Sequence, residues 1–306
     1  MATNKLPEIL VVGFGAVGAI YSMILKKSGL TRVTAVARSN YDAVSEAADR
    51  PYSYVFVTTK AIPERVTTPK ILAPLLAPEY ADVHPQPTYV LLQNGLNVEA
   101  DLFQALEKLG KGPPSIVSTA VWIGTNLLGP NVVQHNHFAA TLVEIGGILS
   151  AGGTEITIVG EVQRLKFAKN FWNVTFSPFA TLTTLPALFR DPPKDSSNPY
   201  SPYVSPTTAH LVNEHTIPTI RATLQELLQL GRALGYDEDG LPSSLVDDTL
   251  ENTRQLHAVP ESEHKPSMML DMEKGQPIEV EVILGEVVRM AQERGVSIPA
   301  SDLKYL

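Results

Sequence analysis

Ile9-Leu10-Val11-Val12-Gly13-Phe14-Gly15-Ala16-Val17-Gly18 is the stretch on which the reading of this chain turns. Four consecutive apolar, mostly β-branched residues suit a strand buried on both faces, and Ala19 to Leu25 suits a helix. Between them lies a G-x-G-x-x-G pattern. Gly13 permits a tight turn, Gly15 lets backbone approach a pyrophosphate, and Gly18 lets helix and strand pack closely. The helix N-terminus then offers unpaired N–H groups and a partial positive charge to phosphates. Strand, glycines and helix together point to a dinucleotide held by Gly13, Phe14, Gly15, Ala16, Val17 and Gly18; a bare strand-to-helix turn is the plainer alternative. Ile9 to Leu25 is also free of charge and superficially resembles a membrane or secretory segment. It is shorter than the ~20 residues a span requires, carries three glycines and lacks a convincing cleavage site.

The surrounding composition agrees. The chain has 306 residues, 44% apolar and 18% charged, with 24 Lys and Arg against 32 Asp and Glu and a formal charge of −8. That is a globular balance with material for two domains. An acidic chain without a basic run argues against a nucleic-acid surface, because phosphate neutralisation needs clustered cations. The absence of cysteine excludes disulfides, thiolate metal sites and cysteine nucleophiles and fits a reducing, cytoplasmic setting. The seven histidines include His135-x-His137, which has no helical partner motif, so no metal site is expected.

Further buried-strand runs follow at Val33 to Ala37, Tyr54 to Thr58, Thr88 to Leu92 and Ile116 to Ser118, with helix-length segments at Ala16 to Ser28 and Val98 to Leu109. This βαβ order predicts an α/β fold with a mainly parallel sheet over residues 1–160. Ile145 to Thr154 looks too short of helix signal to count as one. From Glu161 the long signals are helical, at Val162 to Phe176, His215 to Leu234 and Glu279 to Arg294, so 161–306 reads as an all-α domain. The proline-rich stretch Asp191 to Thr208 reads as a surface loop, and Pro178 as the end or kink of the first long helix.

Candidate site residues fall in both halves. The second strand ends in Arg38-Ser39-Asn40, where an NAD site would place a carboxylate; a cation and polar donors suit a 2′-phosphate, favouring NADPH over NADH. A solvated surface arginine is the alternative reading. Lys60 and Asn94-Gly95 follow the third and fourth strands, where parallel strands present their ligand-facing ends. In the helical half, Lys169, Asn173 and Ser177 are spaced i, i+4, i+8 and form one polar line among Phe167, Phe171, Trp172, Val174 and Phe176. Such groups need partners when buried, which a ligand could supply, although an ordinary solvated helix face would have the same spacing. Ser267 and Glu279 lie in a second polar constellation, His264 to Asp271 through Gly275, where each could also simply favour a helix start.

Taken together, Gly13 to Gly18, Leu91-Leu92-Gln93-Asn94-Gly95, Lys169 with Asn173 and Ser177-Pro178, and Pro266-Ser267-Met268 through Asp271 and Gly275 to Glu279 and Gly285 resemble the ketopantoate reductase family, over most of the chain. The resemblance implies a Rossmann domain joined to a helical domain, and NADPH-dependent reduction of a 2-keto acid to a 2-hydroxy acid. By position it implies Lys169 as general acid and Glu279 as the glutamate that organises the active site and meets the nicotinamide end of the cofactor. Asn94, Lys60 and Arg38 fall on the cofactor side, and Asn173, Ser177 and Ser267 on the substrate. The expected partners are a small 2-keto acid and a second copy of the chain in a homodimer, with no nucleic acid and no membrane.

The departures are specific. Ser177 stands where the family has a second asparagine, and Leu284 replaces an asparagine before Gly285. The segment between Arg38 and Tyr54 is short, and the family often continues with a helix past Tyr305-Leu306. They leave two alternatives open: a reductase of another carbonyl or an imine, and a non-catalytic NADPH-binding sensor.

Overall fold

The computed structural model describes residues 6–37, 41–121, 131–135, 139–194, 200–259 and 264–301. The chain forms two compact units, divided after Lys166. The first is built on a seven-stranded sheet of order β2-β1-β3-β4-β5-β6-β7. Its strands are β1 (Glu8–Val12), β2 (Arg32–Val36), β3 (Tyr54–Val57), β4 (Thr88–Leu91), β5 (Ile116–Ala120), β6 (Asn131–His135) and β7 (Ile156–Ile158). The first five pair in parallel, with Val12 beside Val36 and Val57, and Val57 beside Leu91. The β6 strand runs antiparallel to β5, and β7 runs parallel to β6.

The helices of this unit include α1 (Ala16–Ser28), α2 (Tyr41–Ala47), α3 (Ala100–Leu109) and α4 (Ala139–Ala151). Side-chain alternation explains the continuous apolar runs. Ile9, Val11, Tyr54, Phe56, Val90 and Val117 share one sheet face and pack with Tyr21, Ile24 and Leu25 of α1 and Ile145, Ile148 and Leu149 of α4. Leu10, Val12, Val55, Val57, Tyr89 and Leu91 occupy the opposite face and are also buried. Both faces are therefore covered, as a parallel sheet requires.

One expectation for this unit is corrected. Of the stretch expected to fall short of a helix, residues 145–151 belong to α4, which starts earlier, at Ala139, and residues 152–154 lie past its end. Gly146 and Gly147 weaken its local signal, and tertiary burial supplies the stabilisation. Gly152, just past its end, is so close to α1 that a Cβ would lie 2.3 Å from Ile24 O. The antiparallel β6 and the short β7 were not anticipated, and they extend the sheet beyond its parallel part.

The second unit is helical: α5 (Gln163–Thr183, which begins in the first unit), α6 (Ile217–Ala233), α7 (Leu245–Ala258), α8 (Ser267–Glu273) and α9 (Glu286–Arg294). Two π-turns, Val212–Thr216 and Glu281–Gly285, lead into α6 and α9. Pro178 does not end α5, which continues to Thr183. An interior proline costs ~3 kcal/mol in isolation, but Val174, Phe176 and Ala180 around it are buried, and this packing holds the helix through the missing N–H. No helix among the described residues is long and apolar enough to cross a membrane.

Candidate active site

The parallel strand order reverses at β1, whose neighbours are β2 and β3, and α/β sheets present their ligand crevice at such a switch point. The glycine turn lies there. Gly13 has φ +97°, a left-handed conformation that side chains rarely adopt, and its N–H donates to Val36 O at 3.2 Å. A Cβ on Gly18 would stand 2.1 Å from Gly13 O and 2.7 Å from Thr58 Oγ1, so helix and strand meet only because that side chain is missing. Thr58 Oγ1 in turn donates to Gly13 O at 2.6 Å, tying the turn to β3.

Gly15 is different. It caps α1, is exposed, and a Cβ there would meet nothing within 4 Å. The protein's own packing therefore gives no reason for a glycine at this position. Close approach of an external group to the backbone does, and the first turn of α1 holds no carboxylate to repel an anion. The cradle fits a pyrophosphate. Ala16 is exposed and Phe14 and Val17 are at least partly so, giving the turn an open outer side.

Parallel register brings the ends of β3 and β4 to the same edge. Lys60 is exposed and Asn94 half-buried there. Between them the buried Gln93 donates through Nε2 to Thr59 Oγ1 at 3.2 Å and accepts from Thr68 Oγ1 at 3.3 Å. Gly95 and Asn97 then take left-handed backbone, φ 94° and 52°, which turns the chain sharply after Asn94. Arg38 lies outside the described residues.

A neighbouring polar cluster escaped the sequence reading. Glu99 accepts from Ser118 Oγ at 3.0 Å and from Gln163 Nε2, and pairs with Lys166 Nζ at 3.4 Å. Burial pushes the Glu99 carboxyl up, but Lys166, a backbone N–H, Ser118 and Gln163 together hold it below the ordinary carboxylate range. Burial lowers the Lys166 ammonium against the pull of Glu99. Nothing local links Glu99 to Lys166, 67 residues further on. The pair fastens the first turn of α5 to the sheet unit.

Within the helical unit, Lys169 and Asn173 are half-buried, whereas Ser177 is only 2% exposed, so the predicted polar line sinks inward along α5. Glu279 is 8% exposed and directly precedes the helical segment that begins at Val280. These two regions meet: Asn170 Nδ2 donates to Ile283 O at 3.0 Å, joining residues 113 apart in sequence. Ser267 is exposed and is the first residue of α8; the preceding Pro266 occupies the cap position, so Ser267 does not cap the helix. Leu284 is buried within the second π-turn.

Aromatic residues border the same turn of α5. Trp172 stacks on Phe176 with ring centroids 5.9 Å apart, meets His264 edge-on at 5.4 Å, and donates Nε1–H to Thr253 Oγ1 at 3.1 Å. Behind them, His257 Nδ1 accepts from Phe189 N–H at 3.4 Å, and Arg190 Nε donates to His257 O at 3.1 Å. Burial, His264 and Arg190 push the His257 imidazole down to about 4.

Comparison with known proteins places this architecture. Residues 42–148 match the family model described as ketopantoate reductase PanE/ApbA, and residues 196–305 match its C-terminal counterpart. An uncharacterized protein of Saccharomyces cerevisiae is 25% identical over 97% of this chain and 91% of its own length. The solved 2-dehydropantoate 2-reductase of Methylococcus capsulatus superposes with a TM-score of 0.73 at 21% identity, over 97% of this chain and 94% of the other. A D-mandelate dehydrogenase solved with NADH and anilino(oxo)acetate superposes at 0.67 with 17% identity, over 97% and 96%. These structural likenesses speak to the fold, while the two models span more than half of the sequence, and on that match the chain belongs to the ketopantoate reductase family.

Proposed function

We propose that this chain is an NADPH-dependent reductase that converts the ketone of a 2-keto acid to a 2-hydroxy acid, with ketopantoate the first substrate to test. The observation that carries this reading is the Asn170–Ile283 hydrogen bond: it packs the turn bearing Lys169 against the segment that opens on the buried Glu279. A helix turn that carries an ammonium, bonded to the segment that follows a buried carboxylate, suits a reaction in which a carbonyl oxygen must gain a proton.

On this reading the glycine turn and the first turn of α1 hold the pyrophosphate, Asn94 and Lys60 line the cofactor side, and Arg38 pairs with the 2′-phosphate. A bound reduced nicotinamide supplies the hydride. Lys169 Nζ donates a hydrogen bond to the ketone oxygen and passes it a proton as negative charge develops. Proton donation of this kind is typically worth ~10²–10⁴ in rate, with electrostatic stabilisation of the alkoxide in addition. Asn173, Ser177 and Ser267 hold the hydroxyl and carboxylate ends of the substrate, and Glu279 orients the reacting groups.

A second substrate reading has its own support. The half-buried Trp172 ring, backed by the buried Phe176 and next to Asn173, offers apolar ring surface, which suits a 2-keto acid with an aromatic substituent. The likeness to D-mandelate dehydrogenase, named for such a product, points the same way.

The test is turnover of purified protein with NADPH, and separately NADH, on ketopantoate and phenylglyoxylate. Reduction of either acid supports the reductase; binding of NADPH without turnover on any 2-keto acid would favour the sensor. Arg38→Ala is expected to weaken NADPH by about 10- to 100-fold, the size of a lost charge-assisted contact, and to leave NADH nearly unchanged. Equal loss for both cofactors would remove Arg38 from the 2′-phosphate.

A further inference from the structure

We propose that Asn170 is a positioning residue for the reduction: its amide fixes the Lys169 turn against the π-turn that follows Glu279. The inference rests on the reductase reading above and assigns a role to a residue outside the lysine, asparagine and serine line.

Asn170 is 3% exposed, between Lys169 and Phe171 on α5. Its Nδ2 donates to Ile283 O at 3.0 Å, while its Oδ1, on the other side of the same amide, is buried with no hydrogen-bond partner among the described residues. This settles the orientation of the amide, because the reverse would set oxygen against oxygen. It also shows what the residue is not for. An unsatisfied buried acceptor costs about 1–3 kcal/mol, and an apolar side chain of similar shape would avoid that cost on a helix stretch where Phe167, Phe171 and Val174 are all buried. The donor is the useful half of the group.

Its acceptor is equally particular. Ile283 is the middle residue of the π-turn Glu281–Gly285, where the ladder shifts from i→i+4 to i→i+5, as the Glu286 N–H bond to Glu281 O shows. A carbonyl has two lone pairs, so Ile283 O accepts the amide whatever its own main-chain bond. Such π-turns cluster at functional sites, and this one lies within two turns of Glu279, with Val282 to Gly285 all buried. The other π-turn, Val212–Thr216, has no buried residue. The bond therefore locks a register that the α-helical ladder alone leaves open, one residue from the ammonium on one side and four from the carboxylate on the other.

The experiment compares full-length wild type with Asn170→Leu, which keeps the branched shape at a larger volume and removes the donor, and Asn170→Ser, which keeps a shorter donor. Steady-state kinetics with NADPH and the preferred 2-keto acid are read beside NADPH binding by fluorescence, thermal melting and the solvent deuterium isotope effect on kcat. Displacement of a catalytic group by about 1 Å costs up to ~100-fold. The expected result is a fall in kcat of about 10- to 100-fold for Asn170→Leu, less for Asn170→Ser. KM and NADPH affinity should stay within about threefold, and the isotope effect should rise. Unchanged kcat in a folded variant overturns the inference, and so does a loss that merely follows the melting temperature or falls equally on NADPH binding. Should Asn170→Leu fail to fold, Asn170→Ser alone decides by the same criteria. A wild type without turnover on any 2-keto acid overturns the reductase reading and this inference with it, whereas wild-type turnover matched by both variants overturns this inference alone.

Discussion

The glycine turn of the sheet unit and the Lys169 region of the helical unit are built in opposite ways. The turn is contiguous: Gly13, Gly15 and Gly18 act within six residues, and each has a separate steric reason, namely left-handed backbone, open approach and helix–strand contact. The Lys169 region is assembled, with its defining bond joining residues 113 apart. A contiguous site depends on local backbone geometry and survives changes elsewhere, whereas an assembled site inherits the stability of every contact that brings its parts together.

Lys169→Ala should separate the two regions by the widest margin. Turnover should fall by about 10²–10⁴ while NADPH binding, which the proposed function assigns to residues of the sheet unit, persists. Steady-state kinetics beside cofactor binding check this, and joint loss of both would show that the two sites are not separable.

Next in size is the buried pair that holds the first turn of α5. Lys166→Met leaves the Glu99 carboxylate without its counter-charge, and loss of one partner of a buried pair costs about 3–5 kcal/mol. Denaturant unfolding should show that destabilisation, and Lys166→Met with Glu99→Gln should recover much of it, because no buried charge is then left unpaired. A double variant as unstable as the single one would mean that the charge itself is not what matters.

His257 supplies a pH test confined to the helical unit. Its folded value of about 4 lies below the ordinary 6.5, so the unfolded chain takes up a proton first as pH falls. Its contribution is complete above pH 6.5 and is lost as pH falls through the window down to 4, by about 3 kcal/mol in all. Melting temperatures across that window should drop more steeply for wild type than for His257→Gln; parallel curves would exclude the imidazole.

The smallest effects discriminate between two glycines of the turn itself. Gly18→Ala must displace Gly13 O and should destabilise the fold by about 1–3 kcal/mol. Gly15→Ala has free space and should change stability by less than about 1 kcal/mol, yet weaken NADPH measurably. Unaltered NADPH affinity in folded Gly15→Ala would remove the pyrophosphate from that position.

The five parallel strands and the turn were legible in the sequence because each signal is local: an apolar, β-branched run marks each strand, and after the first of them Gly13 takes a conformation that side chains rarely adopt. The same holds for α1 and for the Lys169, Asn173 and Ser177 spacing. The sequence reading failed where stabilisation comes from elsewhere in the chain. Gly146 and Gly147 hide α4, which Ile24 and the sheet core hold in place, and Pro178 left open an end or a kink of α5, of which buried packing overrides the end. Lys166 and Glu99 carry no mutual signal in sequence, and neither do Asn170 and Ile283.

By itself, then, the sequence determined the α/β class, the order of the parallel strands' segments, the glycine turn and the identity of the polar residues that could carry chemistry. Only the tertiary structure decided that Ser177 and Glu279 are buried, that Glu99 fastens the start of α5, and that Asn170 ties the lysine turn to a π-turn. The physical reason is range. Backbone preference and side-chain periodicity act over a few residues, whereas a buried hydrogen bond or ion pair is set by which distant segments the hydrophobic core presses together.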